Sequence, residues 1–453
     1  MQTIGNSQPD AQTIWHPLTQ HKPLRENPPA HIVEADGCYL KARDGTTYLD
    51  AVAGIWCVNI GHGRKEVAAV ASEQMERLAF LTPTMTHDPG VKLTSKLLDM
   101  VGMQGRVYLS NSGSEANEAA FKIIWQYHAQ SGEPGGYQRH KIISRYRAYH
   151  GNTLGALSAT GQAERKVGYG VGVPGFVHIP PPYPYRAGDG LIPAEHGLQC
   201  AQILEDTIVY EGPQTVAAFI MEPIISGGGV LIPPDEYLPK VRAVCDKYGV
   251  LLILDEVVSG FGRTGKMFAY QHWNVKPDIF TFAKGIASGY VPLGATLVRQ
   301  EIFDAFLSEP GDLAHFRHIN TYGAHPVAAA VALKNIEILE NEELVENSEK
   351  QGAYLLRQLD ELTEHPCVGD VRGRGLLAGV ELVSDKGSKA PLAGDKVGAV
   401  INGCKQQGVL LGRNGNTVPG LSNVVITAPP LIAGEAEIDR IVNALKTALI
   451  DIL

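Results

Sequence analysis

Three groups of residues have types and positions suited to joint chemistry. Asp255 ends the apolar run Leu251-Leu-Ile-Leu254, Lys284 sits between Ala283 and Gly285, and Ser110-Asn-Ser-Gly-Ser-Glu-Ala-Asn117 precedes a helical stretch, Glu118 to Tyr127. A run without polar alternation suits a strand covered on both faces in a parallel sheet, and ligands of open α/β sheets gather at the carboxyl ends of such strands. That places Asp255 at a pocket edge. Pro277-Asp-Ile-Phe-Thr-Phe-Ala283 reads as a second short strand delivering Lys284 to the same edge, where small neighbours let a bulky group approach. Small hydroxyls and Gly113 at a helix start offer free N–H groups and the positive end of the helix dipole to an anion.

Read singly, Asp255 and Lys284 are surface charges or a structural ion pair, and the Ser112-Gly-Ser114 cup is a capped helix start. Together they meet the three needs of pyridoxal phosphate, namely a phosphate anchor, a carboxylate for the pyridine nitrogen and a lysine for the aldehyde. The chemistry expected is therefore that of amines, with Lys284 as covalent anchor and proton carrier and Asp255 as partner of the ring nitrogen. The set calls for no metal.

The elements that must position these groups follow from periodicity. Helices are expected at Lys65–Leu78, Val91–Met100 and Tyr237–Tyr248, and strands at Val107–Leu109, Lys141–Tyr146 and Val216–Met221. The alternation between residues 107 and 282 predicts a mostly parallel sheet with right-handed crossovers. Ile32–Leu40 and Thr47–Asp50, around the turn Arg43-Asp-Gly45, read as one antiparallel hairpin. Gly161–Gly197, rich in Gly, Pro and Tyr, reads as a long ordered loop near a subunit contact. Beyond Lys284, helices at Val327–Glu340, Leu344–Leu362 and Glu435–Leu449, with strands at Val371–Leu382 and Val424–Ala428, predict a small α+β domain. The fold class is α/β, with an N-terminal segment at 1–60 belonging to the small domain, a large cofactor domain at 61–328 and a C-terminal small domain at 329–453.

Composition restricts the setting. The chain has 453 residues, too many for one small core, and a net charge of −9 with no basic stripe, which excludes a nucleic-acid partner. Residues 1–10 are polar, without the apolar core of a signal peptide, and no apolar run is long enough to span a membrane. Six cysteines without C-x-x-C spacing suit reduced thiols in the cytoplasm.

Ser112-Gly-Ser114, Tyr149-His-Gly151, Glu222-Pro223, Asp255-Glu-Val-Val-Ser-Gly-Phe-Gly-Arg-Thr-Gly265 and Ala283-Lys-Gly285, in this order, resemble the class III (ω-) aminotransferases of fold type I. The likeness runs from about Trp15 to the C-terminus. It implies a large domain with a mostly parallel seven-stranded sheet and transamination with pyridoxal 5'-phosphate. It implies cofactor contacts from Ser112, Gly113, Ser114, Tyr149, His150, Glu222, Asp255, Val257, Lys284 and Thr321, with Tyr149 on the ring face and Val257 packed against the ring. In this family the threonine at position 321 reaches the phosphate of the neighbouring subunit, so a homodimer or dimer of dimers with shared sites is implied; a helix N-cap is the rival role for that segment.

Substrate contacts implied by the same resemblance are Trp56, Tyr149, Gly227 and Arg413. Read alone, Trp56 is equally a core aromatic, Tyr149 a loop residue and Arg413 a surface arginine. Family members that use glutamate carry an acid where this chain has Gly227, and that acid parks a mobile arginine resembling Arg413. Its absence suits pyruvate as acceptor, although extra residues, Val418 to Asn423, follow Arg413. Gly155–Lys166 and Asn111–Lys122 resemble taurine:pyruvate aminotransferases. The expected reaction moves an ω-amino group from taurine, β-alanine or a primary amine to pyruvate. Aminobutyrate-type and diaminopelargonate-type aminotransferases, or a same-fold decarboxylase or mutase, are the alternatives.

Overall fold

The computed structural model describes residues 13–131, 136–188, 190–415 and 417–452. The polar leader at residues 1–10 and Asn416 lie outside the described residues. Strands are numbered in chain order. β1 (Ile32–Asp36), β2 (Tyr39–Ala42) and β3 (Thr47–Asp50) form an antiparallel meander, and Leu49 and Asp50 of β3 pair in parallel with β14 (Val409–Leu410). One expected strand is thus two, because Gly37 takes φ +54 and turns the chain between Asp36 and Tyr39.

The central sheet has seven strands: β4 (Gly105–Ser110), β5 (Lys141–Arg145), β6 (Phe176–Ile179), β7 (Val216–Met221), β8 (Leu251–Asp255), β9 (Ile279–Phe282) and β10 (Gly294–Arg299). Their order is β4-β10-β9-β8-β7-β5-β6, parallel from β9 through β6, with β10 antiparallel to both neighbours. β7 and β8 are buried at every position, which is why they read as unbroken apolar runs.

Two segments depart from expectation. Inside the loop expected at 161–197, Phe176-Val-His-Ile179 forms the edge strand β6, and a long helix begins at Pro193 and runs to Glu211. β10 was hidden because Gly294 and Ala295 dilute its apolar pattern; a Cβ on Gly294 would lie 2.3 Å from the Ser112 carbonyl, so only glycine lets this strand pass beside the cup. The third sheet orders β11 (Val368–Gly373), β12 (Ala378–Asp385), β16 (Val424–Thr427) and β15 (Gly412–Arg413), with β13 (Ala390–Pro391) against β12. The flanking helix Glu435–Ile452 packs against Leu344–Asp360 and Gly394–Gln406.

Among the described residues no helix is long and apolar enough to cross a membrane.

Candidate functional site

The site forms where β8 and β9 end and the helix Gly113–Gln130 begins. Ser112 is the N-cap of that helix, its Oγ accepting from Glu115 N at 3.2 Å. Ser114 Oγ donates to Asn152 Oδ1 and accepts from Asn152 N. The two hydroxyls are therefore engaged, whereas the N–H groups of Gly113 and Ser114 have no partner among the described residues. An anion at this helix start would meet backbone N–H groups before hydroxyls. A Cβ on Gly113 would lie 3.0 Å from Val257 Cγ2, so the absent side chain keeps open the space between the cup and Val257.

Asp255 is 3% exposed and fully bonded on the protein side. Its Oδ2 accepts from Asn117 Nδ2 at 2.8 Å and from His150 Nδ1 at 2.9 Å, and its Oδ1 accepts from Val257 N at 3.1 Å. Asn117 is itself fixed, since its Oδ1 accepts from Thr281 Oγ1 and its Nδ2 also donates to the His150 carbonyl. His150 Nε2 is buried without a partner among the described residues.

Lys284 follows β9 with φ +47, a left-handed conformation that costs a non-glycine residue about 1 kcal/mol or more. The turn after it is held by Asn335 Nδ2, which donates to the Gly285 and Ile286 carbonyls at 2.8 and 3.0 Å. Asn59 lies against Gly285, where a Cβ would come within 2.5 Å of its amide nitrogen. Lys284 Nζ stands 5.3 Å from the Trp56 ring centroid. Burial holds this amine below the usual lysine range, against the opposing charges of Cys57, Asp255 and Glu222; Arg165 lowers it further.

Glu222 holds two backbone N–H groups. Its Oε1 accepts from Tyr149 N and its Oε2 from Ser226 N, at 3.0 and 3.1 Å, so it sets the backbone on both sides of the pocket. Burial pushes its carboxyl up, and these two N–H groups oppose that rise.

Trp56, φ +59, packs over Gly227, where a Cβ would lie 3.3 Å from Trp56 Cη2 and 3.6 Å from Gln162 Nε2. The structure thus brings Ser112, Gly113, Ser114, His150, Val257, Asp255, Glu222, Tyr149, Lys284, Trp56 and Gly227 into one region. The Arg413 guanidinium donates to the Ser422 and Gly394 carbonyls at 2.6 and 2.9 Å, and Thr321 is exposed on a turn.

Sequence reasoning missed Asn117, Asn59, Asn335, Gln162, Arg165 and the work of Arg263. Asn117 had a signal, a polar residue one turn after Gly113 in an alanine-rich helix. Arg263, inside the Phe261-Gly-Arg-Thr-Gly265 block, is fully buried and donates to Asn59 Oδ1 and to the Leu376 and Pro429 carbonyls, joining the pocket floor to the C-terminal sheet region; burial pushes its pKa down to about 10.

A sequence model of the family described as aminotransferase class III matches residues 22–449. The chain is 48% identical over 446 residues to an uncharacterised aminotransferase of Bacillus subtilis, covering 98% of this chain and 96% of the relative. It is 45% identical over 442 residues to taurine–pyruvate aminotransferase of Bilophila wadsworthia, covering 97% and 95%. Among solved structures, a thermostable (S)-enantioselective ω-transaminase from Thermomicrobium roseum superposes with a TM-score of 0.90 at 43% identity, covering 97% of this chain and 96% of that one. A helix-start anion cup, a buried carboxylate and a depressed lysine at one sheet edge agree with these matches: the chain belongs to the class III aminotransferases, which depend on pyridoxal phosphate.

Proposed function

We propose that the protein transfers the amino group of an ω-amino donor, such as taurine, β-alanine or a primary amine, to pyruvate, giving an aldehyde or ketone and alanine. The observation that carries this reading is the wall made by Gly227 and Trp56. With a Cβ at 227 already 3.3 Å from the indole, there is no acid at that position to pair with an arginine, and a long dicarboxylate would press its second charge on the ring. A short keto acid avoids both problems. The taurine–pyruvate relative supports the same choice of acceptor.

Pyridoxal phosphate, when bound, supplies an electrophilic carbonyl carbon and a ring that draws in the electron pair of a broken C–H bond. The residues fit that group: the N–H groups of Gly113 and Ser114 would hold its phosphate, Val257 and Tyr149 would flank its ring, and Asp255 would keep its nitrogen protonated. Asn117 and His150 orient the Asp255 carboxylate, which leaves its charge directed by fixed donors instead of mobile water. Lys284, whose burial disfavours the charged form of its amine, would anchor the cofactor and then accept a proton at Nζ from the donor carbon. Trp56 beside Nζ shields that transfer from water.

A homodimer accompanies this reading. Thr321 sits among exposed Phe80, Met85, Ile319 and Tyr322, an apolar face suited to a second copy, and Thr321 would serve the neighbour's phosphate.

The test is a donor screen with pyruvate or 2-oxoglutarate as acceptor, read as alanine or glutamate formed. Alanine from an ω-amine, with pyruvate the better acceptor, is the expected result; a preference for 2-oxoglutarate overturns it.

A further inference from the structure

Arg165 is an arginine with no acid. It lies in the short turn Ala163–Lys166, which is pinned to the C-terminal region by the bond from Ala163 N to the Thr417 carbonyl at 2.8 Å. The guanidinium carbon stands 4.7 Å from the Tyr149 ring centroid, and Nε donates to Gln162 Oε1. Gln162 is buried and its Nε2 donates to the Arg147 carbonyl, so both ends of that amide are fixed and the Arg165 stem is fixed with them. The terminal nitrogens of Arg165 have no hydrogen-bond partner among the described residues.

The position of this charge relative to the pocket follows from three contacts. Gln162 Nε2 is 3.6 Å from where a Cβ on Gly227 would be, on the wall that Trp56 closes. Tyr149, under the guanidinium, precedes His150, which bonds Asp255. The charge of Arg165 also acts on Lys284. The one acid in the same turn, Glu164, acts instead on Arg413. Arg413 is held at Nε and Nη1 by the Ser422 and Gly394 carbonyls and must break both bonds to move. A half-buried guanidinium over the face of an aromatic ring, with a fixed Nε and two free ends, presents a planar fork to an anion.

We propose that Arg165, rather than Arg413, receives the anionic end of the amino donor, the sulfonate or carboxylate of a short ω-amino acid. The inference rests on the ω-amine reading for its substrate and makes Arg165 a specificity-determining residue of that reaction. The amine end meets Lys284 while the acid end closes on the fork, with Gln162 setting the angle of the guanidinium and Tyr149 its plane. Donors without an acid end leave Arg165 as it is now.

The test uses holoenzyme of the wild type, Arg165→Gln and Arg413→Gln. Half-reaction rates are measured with taurine, β-alanine and n-propylamine, and isethionate, an anion of the same shape that lacks the amine, is titrated calorimetrically. Arg165→Gln is expected to lower kcat/KM for taurine and β-alanine by about 30-fold or more, mainly through KM, and to weaken isethionate comparably. Propylamine should lose at least about tenfold less than taurine, because it makes no ion pair and feels Arg165 only through its charge on Lys284. Equal losses for charged and uncharged donors would make Arg165 structural and overturn the proposal, as would isethionate binding that is absent in the wild type, unchanged in Arg165→Gln or lost only in Arg413→Gln. If taurine and β-alanine are not donors yet isethionate still requires Arg165, the donor assignment fails and the anion site stands; if they are donors and Arg165→Gln leaves them untouched, the reverse holds.

Discussion

Asp255→Asn keeps the shape of the side chain and removes its charge, so it separates electrostatics from packing. The wild-type carboxylate accepts three hydrogen bonds, two at Oδ2 from Asn117 and His150 and one at Oδ1 from Val257 N. An amide has one acceptor oxygen. With that oxygen toward Asn117 and His150, its NH2 faces the Val257 N–H; turned around, its NH2 faces two donors. His150 could relieve the second case only by moving its proton to Nε2, which is buried without a partner. The first orientation is therefore favoured and leaves the part-buried Val257 N–H unmatched, at about 1–3 kcal/mol, and the two remaining bonds lose their charge assistance at roughly 0.5–1 kcal/mol each. Thermal unfolding of the apoprotein should reflect a loss of about 2–5 kcal/mol. Cofactor affinity should fall by no more than roughly tenfold, because the N–H groups of Gly113 and Ser114 are untouched. The single-turnover half-reaction with an amine should slow by on the order of 10³, about 4 kcal/mol, since a neutral amide no longer holds a proton on the ring nitrogen. Retention of the rate within tenfold, or loss of cofactor with unchanged residual chemistry, would refute the assignment.

Lys284→Ala should abolish borohydride fixation of the cofactor and cut turnover by at least about 10³-fold; the apoprotein should be no less stable than wild type in thermal melts, because a buried amine is removed, and near-wild-type transamination would sink the role of Lys284. Gly227→Asp should be tolerated by the backbone but push Trp56 by a few tenths of an ångström and set a carboxylate beside Gln162, lowering kcat/KM for taurine or β-alanine by about tenfold or more; unchanged kinetics would show that the Gly227–Trp56 wall does not bound the substrate. Glu256→Gln tests a pH effect. Burial pushes Glu256 up to about 7, while Ser259 and the N–H groups of Ala269 and Tyr270 bond its carboxylate. A carboxyl raised in the fold binds more protons there than in the unfolded chain, so its contribution is largest below about pH 4.5 and declines as pH rises toward 7, by about 3 kcal/mol. The stability of wild type minus that of Glu256→Gln in denaturant melts should therefore fall from pH 5 to pH 8, and a rise over that range refutes the sign.

Strands buried on both faces were legible because their pattern is local. Val216–Met221 has the expected bounds, and the helix Tyr237–Tyr248 likewise, since Gly249 in the left-handed region ends it. β6 was not legible, because Phe176-Val-His-Ile179 follows a run of glycines and carries a polar residue, and only its parallel pairing with β5 makes it a strand. The meander at the N-terminus depends on one glycine angle at Gly37, which no period reveals.

In the site, what could be read were residues whose type is demanded by chemistry, an acid, a lysine and a helix-start cup. What could not be read were the amides that hold them, because an asparagine has no period and no fixed distance in sequence from its partner. Asn335 lies on a helix after the Lys284 turn, and Asn59 precedes the large sheet, yet both close on Gly285. Their effect is geometric: Lys284 keeps a left-handed backbone only because the next two carbonyls are bonded and Gly285 has no side chain to displace Asn59. Arg263 ties the neighbour of this turn to the C-terminal region, since the guanidinium that fixes Asn59 also bonds the carbonyls of Leu376 and Pro429. The C-terminal region and the Lys284 turn are thus joined through two hydrogen-bonded side chains, Arg263 and Asn59, the second lying against Gly285.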